Sequence, residues 1–113
     1  MNTNNSFGTI TACQLKAKLD SGQSPFILDV REKPELAIAC LNNTLHIPMG
    51  EVSERLDELI PFKDRQIVVY CRSGARSAHC ARFLAESGFQ HVLNLQGGIL
   101  AWSDTVDPSM PKY

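Results

Sequence analysis

Residues 66–87 read QIVVYCRSGARSAHCARFLAES. The run Ile67-Val68-Val69 is continuously apolar rather than alternating, as expected of a strand buried on both faces. From Ser77 to Ser87 the spacing changes: Ala78, Ala81, Leu84 and Ala85 share one face of a helix, and Gly88 stops it. A buried strand, a short loop containing Gly74 and an amphipathic helix form the repeating step of a parallel α/β sheet.

Working outward, the same alternation recurs. On the amino-terminal side, Phe7 to Ile10 is a short strand candidate, and Thr11 caps a helix over ACQLKAKLDSG, with Leu15 and Leu19 on one face. PFILDV follows as a buried strand, placing Asp29 and Arg31 where strand gives way to loop. The segment EKPELAIACLNN from Glu32 to Asn43 combines a proline-led helical turn with an Asn-Asn turn, and Thr44 to Ile47 reads as a strand closed by Pro48. In EVSERLDELI, Val52, Leu56, Leu59 and Ile60 are spaced for an amphipathic helix ended by Pro61. On the carboxyl side, HVLNL is a strand, and Gly97-Gly98 opens a last helix carrying Ile99, Leu100 and Trp102. Five strands alternating with helices predict a single α/β domain over residues 7–113, its sheet mainly parallel with helices on both faces, after a flexible polar tail over residues 1–6.

The composition suits this. A chain of 113 residues with 43% hydrophobic and 20% charged residues can bury a core without staples. A net charge of −1 with both signs interspersed predicts no nucleic-acid partner, and no apolar run is long enough to span a membrane. The opening MNTNNSFGTI has neither a basic nor an apolar leader segment, so a cytoplasmic location is expected. Cys13, Cys40, Cys71 and Cys80 form no CxxC pair, and His46, His79 and His91 lack paired ligand spacing; free thiols and no metal or other cofactor are expected.

Chemistry concentrates at Cys71. It falls at the carboxyl end of the most apolar strand, where open parallel sheets gather ligands. Gly74 lets main-chain N–H groups turn inward, Ser77 is read as opening the helix, and a helix N-terminus favours an anion. Arg72 and Arg76 add forked donors suited to sulfonate, phosphate or carboxylate oxygens. The same field is expected to favour the Cys71 thiolate without an adjacent histidine, His79 being expected to face solvent.

The stretch CRSGARSA resembles the active-site loop of the rhodanese family, sulfurtransferases that carry sulfane sulfur as a cysteine persulfide. ILDVRE at 27–32, HIP at 46–48 and GFQHVLNLQGGILAW at 88–102 resemble further segments of that family, in its order. The segment ELAIACLNNT from Glu35 to Thr44 lacks a histidine and two glycines common in the family and carries Cys40 where the histidine would be; with the ending AWSDTVDPSMPKY it looks more like the rhodanese modules attached to adenylyltransferases that activate small sulfur-carrier proteins.

The resemblance implies that Cys71 takes sulfur from a small anionic donor such as thiosulfate and passes it, through a persulfide, to cyanide, a thiol or a sulfur-acceptor protein. The amides of Arg72, Ser73, Gly74, Ala75, Arg76 and Ser77 would hold the donor oxyanion and the persulfide, Arg72 and Arg76 would recruit the donor, and Asp29 and Arg31 would brace the loop or its flanks as an ion pair. Two other readings are kept. A phosphatase using a Cys71 phosphoenzyme needs the same parts, but tyrosine-phosphatase-like loops place five residues between Cys and Arg, whereas Cys71 and Arg76 are separated by four. A non-catalytic binding module of the same fold is the other. Cys80 is expected in the core, too distant to bridge Cys71, and Cys40 could relay sulfur if it faced the same cleft.

Overall fold

A computed structural model describes residues 6–113; of the tail expected over 1–6, residues 1–5 lie outside the described residues. Five strands, β1 (Gly8–Ile10), β2 (Phe26–Asp29), β3 (Thr44–His46), β4 (Ile67–Tyr70) and β5 (Val92–Leu95), form one sheet in the order β1-β5-β4-β2-β3. Every neighbouring pair is parallel, so the sheet is wholly rather than mainly parallel. The helices are α1 (Ala12–Asp20), α2 (Lys33–Leu36), α3 (Ala75–Glu86) and α4 (Gly98–Thr105).

Strand periodicity sorts side chains between two cores. Leu28, Val30, Ile67, Val69, Cys71 and Val92 face α3, joining Cys80, Ala81 and Leu84. Ile27, Val68, Tyr70 and Leu95 face α1 and α4, joining Leu15, Ile99 and Trp102. β4, central in the order, is buried along its whole length, which explains why its apolar run is unbroken. Each fully buried Leu, Ile or Val contributes about 1.5–3 kcal/mol of transfer free energy.

α1 starts where expected, Thr11 and Gln14 forming a reciprocal capping box, although Leu19 on its last turn stays exposed. The helix expected over residues 51–60 does not form. Three short 3₁₀ turns, Met49–Glu51, Leu56–Glu58 and Ile60–Phe62, take its place. Val52 and Leu59 are still buried, but Ile60 points outward. With Gly50 at one end and Pro61 within the last turn, successive tight turns bury the apolar positions without a continuous α-helical ladder. Among the described residues no helix is long and apolar enough to cross a membrane.

Candidate active site at the carboxyl end of the central strand

Cys71 directly follows β4, and alternation turns its side chain toward α3, where it is only 1% exposed. The chain must then reverse sharply. Gly74 does this at φ +112°, a conformation L side chains rarely adopt, and caps α3. The helix therefore starts at Ala75, two residues before the expected Ser77, because a glycine cap needs no side-chain oxygen. Arg76 and Ser77 consequently lie inside the first turn, whose N–H groups have no helical acceptors.

Donors from the cap and the first turn converge on sulfur. The Gly74 N–H donates to Cys71 Sγ at 3.1 Å, and the Ser77 hydroxyl lies 3.3 Å from it. Burial pushes the Cys71 thiol up, but the Ser77 hydroxyl and the amides of Ser77, Gly74 and Ser73 outweigh it, and the net shift is downward. Arg76 contributes to this through its charge rather than by contact.

A second helix fixes the loop from behind. The Ile99 and Leu100 amides of α4 donate to the carbonyls of Cys71 and Arg72 at 2.9 and 3.1 Å. Since N–H and C=O point in opposite directions across a trans peptide, drawing the Arg72 carbonyl toward α4 turns the Ser73 N–H toward the thiol. Gly98 permits the approach: at φ +62°, a Cβ there would sit 2.4 Å from the Arg72 carbonyl oxygen.

Asn94 of β5 is a site residue that sequence reasoning missed. Its Oδ1 accepts from the Ser77 hydroxyl at 2.5 Å, and its Nδ2 donates to the Gly74 carbonyl at 3.2 Å. The Ser77 hydroxyl has one proton, so Asn94 and the Cys71 sulfur compete for it. An amide amid the apolar positions of HVLNL was the available signal, and in the structure Asn94 is only 7% exposed.

The two loop arginines are turned to protein partners. Arg76 forks onto Glu35 of α2 at 2.7 and 2.9 Å, and this pair holds the Glu35 carboxyl down to about 2 despite burial. Exposed Arg72 donates through Nε to the Tyr113 main-chain oxygen at 2.6 Å and lies 5.2 Å from the Tyr113 ring centre. Asp29 and Arg31 form a fully buried pair at 2.8 Å on the other side of the sheet from the Cys71 side chain. Tyr70 donates to Asp29 at 2.7 Å, while Arg31 donates to the Ala39 carbonyl and the Tyr113 hydroxyl. The pair thus braces β4 and the α2 segment, with no hydrogen bond to residues 71–77.

The remaining thiols lie elsewhere. Cys80 is buried in the α3 core, its thiol pushed up to about 11 by burial and then by Cys71. Cys13 is exposed, as is His79. Cys40 lines a groove of about 630 Å³ with Trp102 and Met110, to which the Cys71 loop contributes no residue. Among the described residues no group of three or more His, Cys, Asp or Glu is placed to hold a metal ion.

Comparison with known proteins bears on the family and the fold. The family described as Rhodanese-like domain matches residues 11–105. A sulfurtransferase of Allochromatium vinosum is 40% identical over 89 residues, spanning 79% of this chain and 81% of that one. The "Probable adenylyltransferase/sulfurtransferase MoeZ" of Mycobacterium tuberculosis is 36% identical over 107 residues, spanning 93% of this chain but 27% of MoeZ. The crystal structure of a rhodanese-related protein from Thermoplasma volcanium superposes with a TM-score of 0.79 at 30% identity, covering 88% of this chain and 94% of that chain.

Proposed function

The chain belongs to the rhodanese-like domain family, and from that premise we propose that it is a sulfurtransferase working through a persulfide on Cys71. The Cys71 thiolate attacks the outer sulfur of a donor such as thiosulfate. A new S–S bond forms, the donor S–S bond breaks, and sulfite leaves with the electron pair. The terminal sulfur of the persulfide is then taken by a nucleophilic acceptor, and its electron pair returns to Cys71 as thiolate. This is a two-step covalent transfer.

One observation carries the reading: the Gly74 N–H and the Ser77 hydroxyl converge on the sulfur of a buried cysteine at a strand end. In this reading the first-turn amides stabilise the negative sulfur, a preorganised electrostatic effect of about 3–4 kcal/mol per donor in comparable anion holes. Arg72 orients the donor oxygens. The name of one relative, the "Putative sulfur carrier protein YrkF" of Bacillus subtilis, favours a protein acceptor in addition to cyanide or a small thiol. Arg76 bears on the phosphatase alternative: its fork is held by Glu35 instead of being open to a phosphate.

The test is an intact mass of the reduced protein after incubation with thiosulfate. A gain of one sulfur is expected, removed by cyanide and absent in Cys71→Ser. No adduct on the wild type rejects the thiosulfate route. Hydrolysis of an aryl phosphate, with no sulfur adduct, would select the phosphatase, and silence in both assays would select the binding module.

A further inference from the structure

The chain beyond α4 returns to the site. Residues 106–113 lie outside the span that matches the family, yet they contact the catalytic loop. The Ser103 hydroxyl donates to the Met110 carbonyl at 2.8 Å, Lys112 pairs with Asp104, and Val106 and Met110 pack on the α1/α4 core. These contacts anchor the segment to α4 and deliver Tyr113 to three side chains, Glu35, Arg31 and the loop's own Arg72. Its hydroxyl donates to Glu35 Oε1 at 2.6 Å and accepts from Arg31 Nη1 at 2.9 Å, while its ring and main-chain oxygen engage Arg72.

The two loop arginines are therefore unequal. Arg76 is held by a bidentate carboxylate, half-buried, whereas Arg72 is exposed and, among the described residues, held only by Tyr113. A dianion arriving at the mouth competes most readily for the second. We propose that Tyr113 is a donor-selecting residue: it occupies Arg72 in the free protein, and an anionic sulfur donor gains Arg72 only by displacing it. The identity of the anion as a sulfur donor rests on the sulfur-transfer reading above; the competition for Arg72 does not. If the closed arrangement holds about nine molecules in ten, the apparent affinity for such a donor is weakened about tenfold. A donor or acceptor that makes no demand on Arg72 escapes this cost, so Tyr113 shifts preference away from small dianions.

The protein has two tyrosines, Tyr70 and Tyr113, so 3-fluorotyrosine labelling yields two ¹⁹F resonances. Tyr113→Phe assigns them. On titration with thiosulfate, and with sulfate as an unreactive dianion, the Tyr113 resonance should move saturably in the wild type and in Cys71→Ser. Arg72→Ala should abolish the movement, and the buried Tyr70 should report little. In steady state, Tyr113→Ala removes the ring over Arg72 and the hydroxyl contacts to Glu35 and Arg31 that seat the main-chain oxygen, and it should lower KM for thiosulfate about three- to tenfold with kcat within about twofold. Tyr113→Phe keeps the ring over Arg72 and should give a smaller decrease, guarding against a misfolded alanine variant. A Tyr113 resonance unmoved by saturating thiosulfate while the persulfide forms would overturn the proposal, as would a raised KM in Tyr113→Ala. A resonance that responds to sulfate in a protein that forms no persulfide would leave Tyr113 competition standing and remove the sulfur-transfer reading.

Discussion

The state of Cys71 is a contest between burial, which disfavours the thiolate, and donors aimed at it, of which Ser77 contributes most. Ser77→Ala removes that donor without placing bulk in the site, so the Cys71 pKa should rise. Followed by pH-dependent iodoacetamide labelling with site-resolved mass spectrometry, which separates Cys71 from the exposed Cys13 and Cys40, the alkylation midpoint should move to higher pH. An unchanged midpoint would mean that the loop amides alone set the thiolate. Cys71, Gly74 and Ser77 were legible because they fall within one short stretch, and each residue type has a local meaning. Asn94 was not: its partners Ser77 and Gly74 are 17 and 20 residues away, and only strand pairing brings Asn94 opposite Val69 at the loop's root.

Two helix N-termini meet at the loop, and they act differently. α3 and its cap direct the amides of Ser77 and Gly74 at sulfur, whereas α4 holds the carbonyls of Cys71 and Arg72 from behind. Gly98 makes the second contact possible, with φ +62° and less than van der Waals space for a Cβ beside the Arg72 backbone. Gly98→Ala should therefore cost more than about 2 kcal/mol in a urea titration, since backbone strain and a clash with main chain add. It should also slow persulfide formation by rotating the loop peptides. Gly97-Gly98 announced a helix start in the sequence, but not which backbone that helix would press against. The helix expected over residues 51–60 shows the reverse. Of its four spaced positions, Val52, Leu56 and Leu59 are buried or half-buried and Ile60 is exposed, and tight 3₁₀ turns reach that burial by another path.

Across the whole molecule, Glu35 links α2 to Arg76 of α3 and to Tyr113 at the far end of the chain. Its carboxyl is held down to about 2 from an ordinary 4.5, first by Arg76 and, after opposing burial, by Tyr113. A depressed folded-state pKa stabilises the fold above the unfolded value and loses that contribution as pH falls through the folded one. Above pH 4.5 the wild type should exceed Glu35→Gln by about 1–3 kcal/mol, and the gap should close between pH 4.5 and about 2, as read from denaturant midpoints at each pH. A constant gap would show that Glu35 acts through packing alone. By itself the sequence determined the α/β alternation, the burial of β4, and Cys71 at a strand end before a glycine-turned loop, because these follow from side-chain periodicity and local backbone freedom. Only the tertiary structure decided that Arg72 and Arg76 would be engaged by Tyr113 and Glu35, that Asn94 would hold Ser77, and that α4 would orient the loop peptides. Those contacts join residues far apart in the chain, and their partners are chosen by strand order and helix placement, which no local pattern encodes.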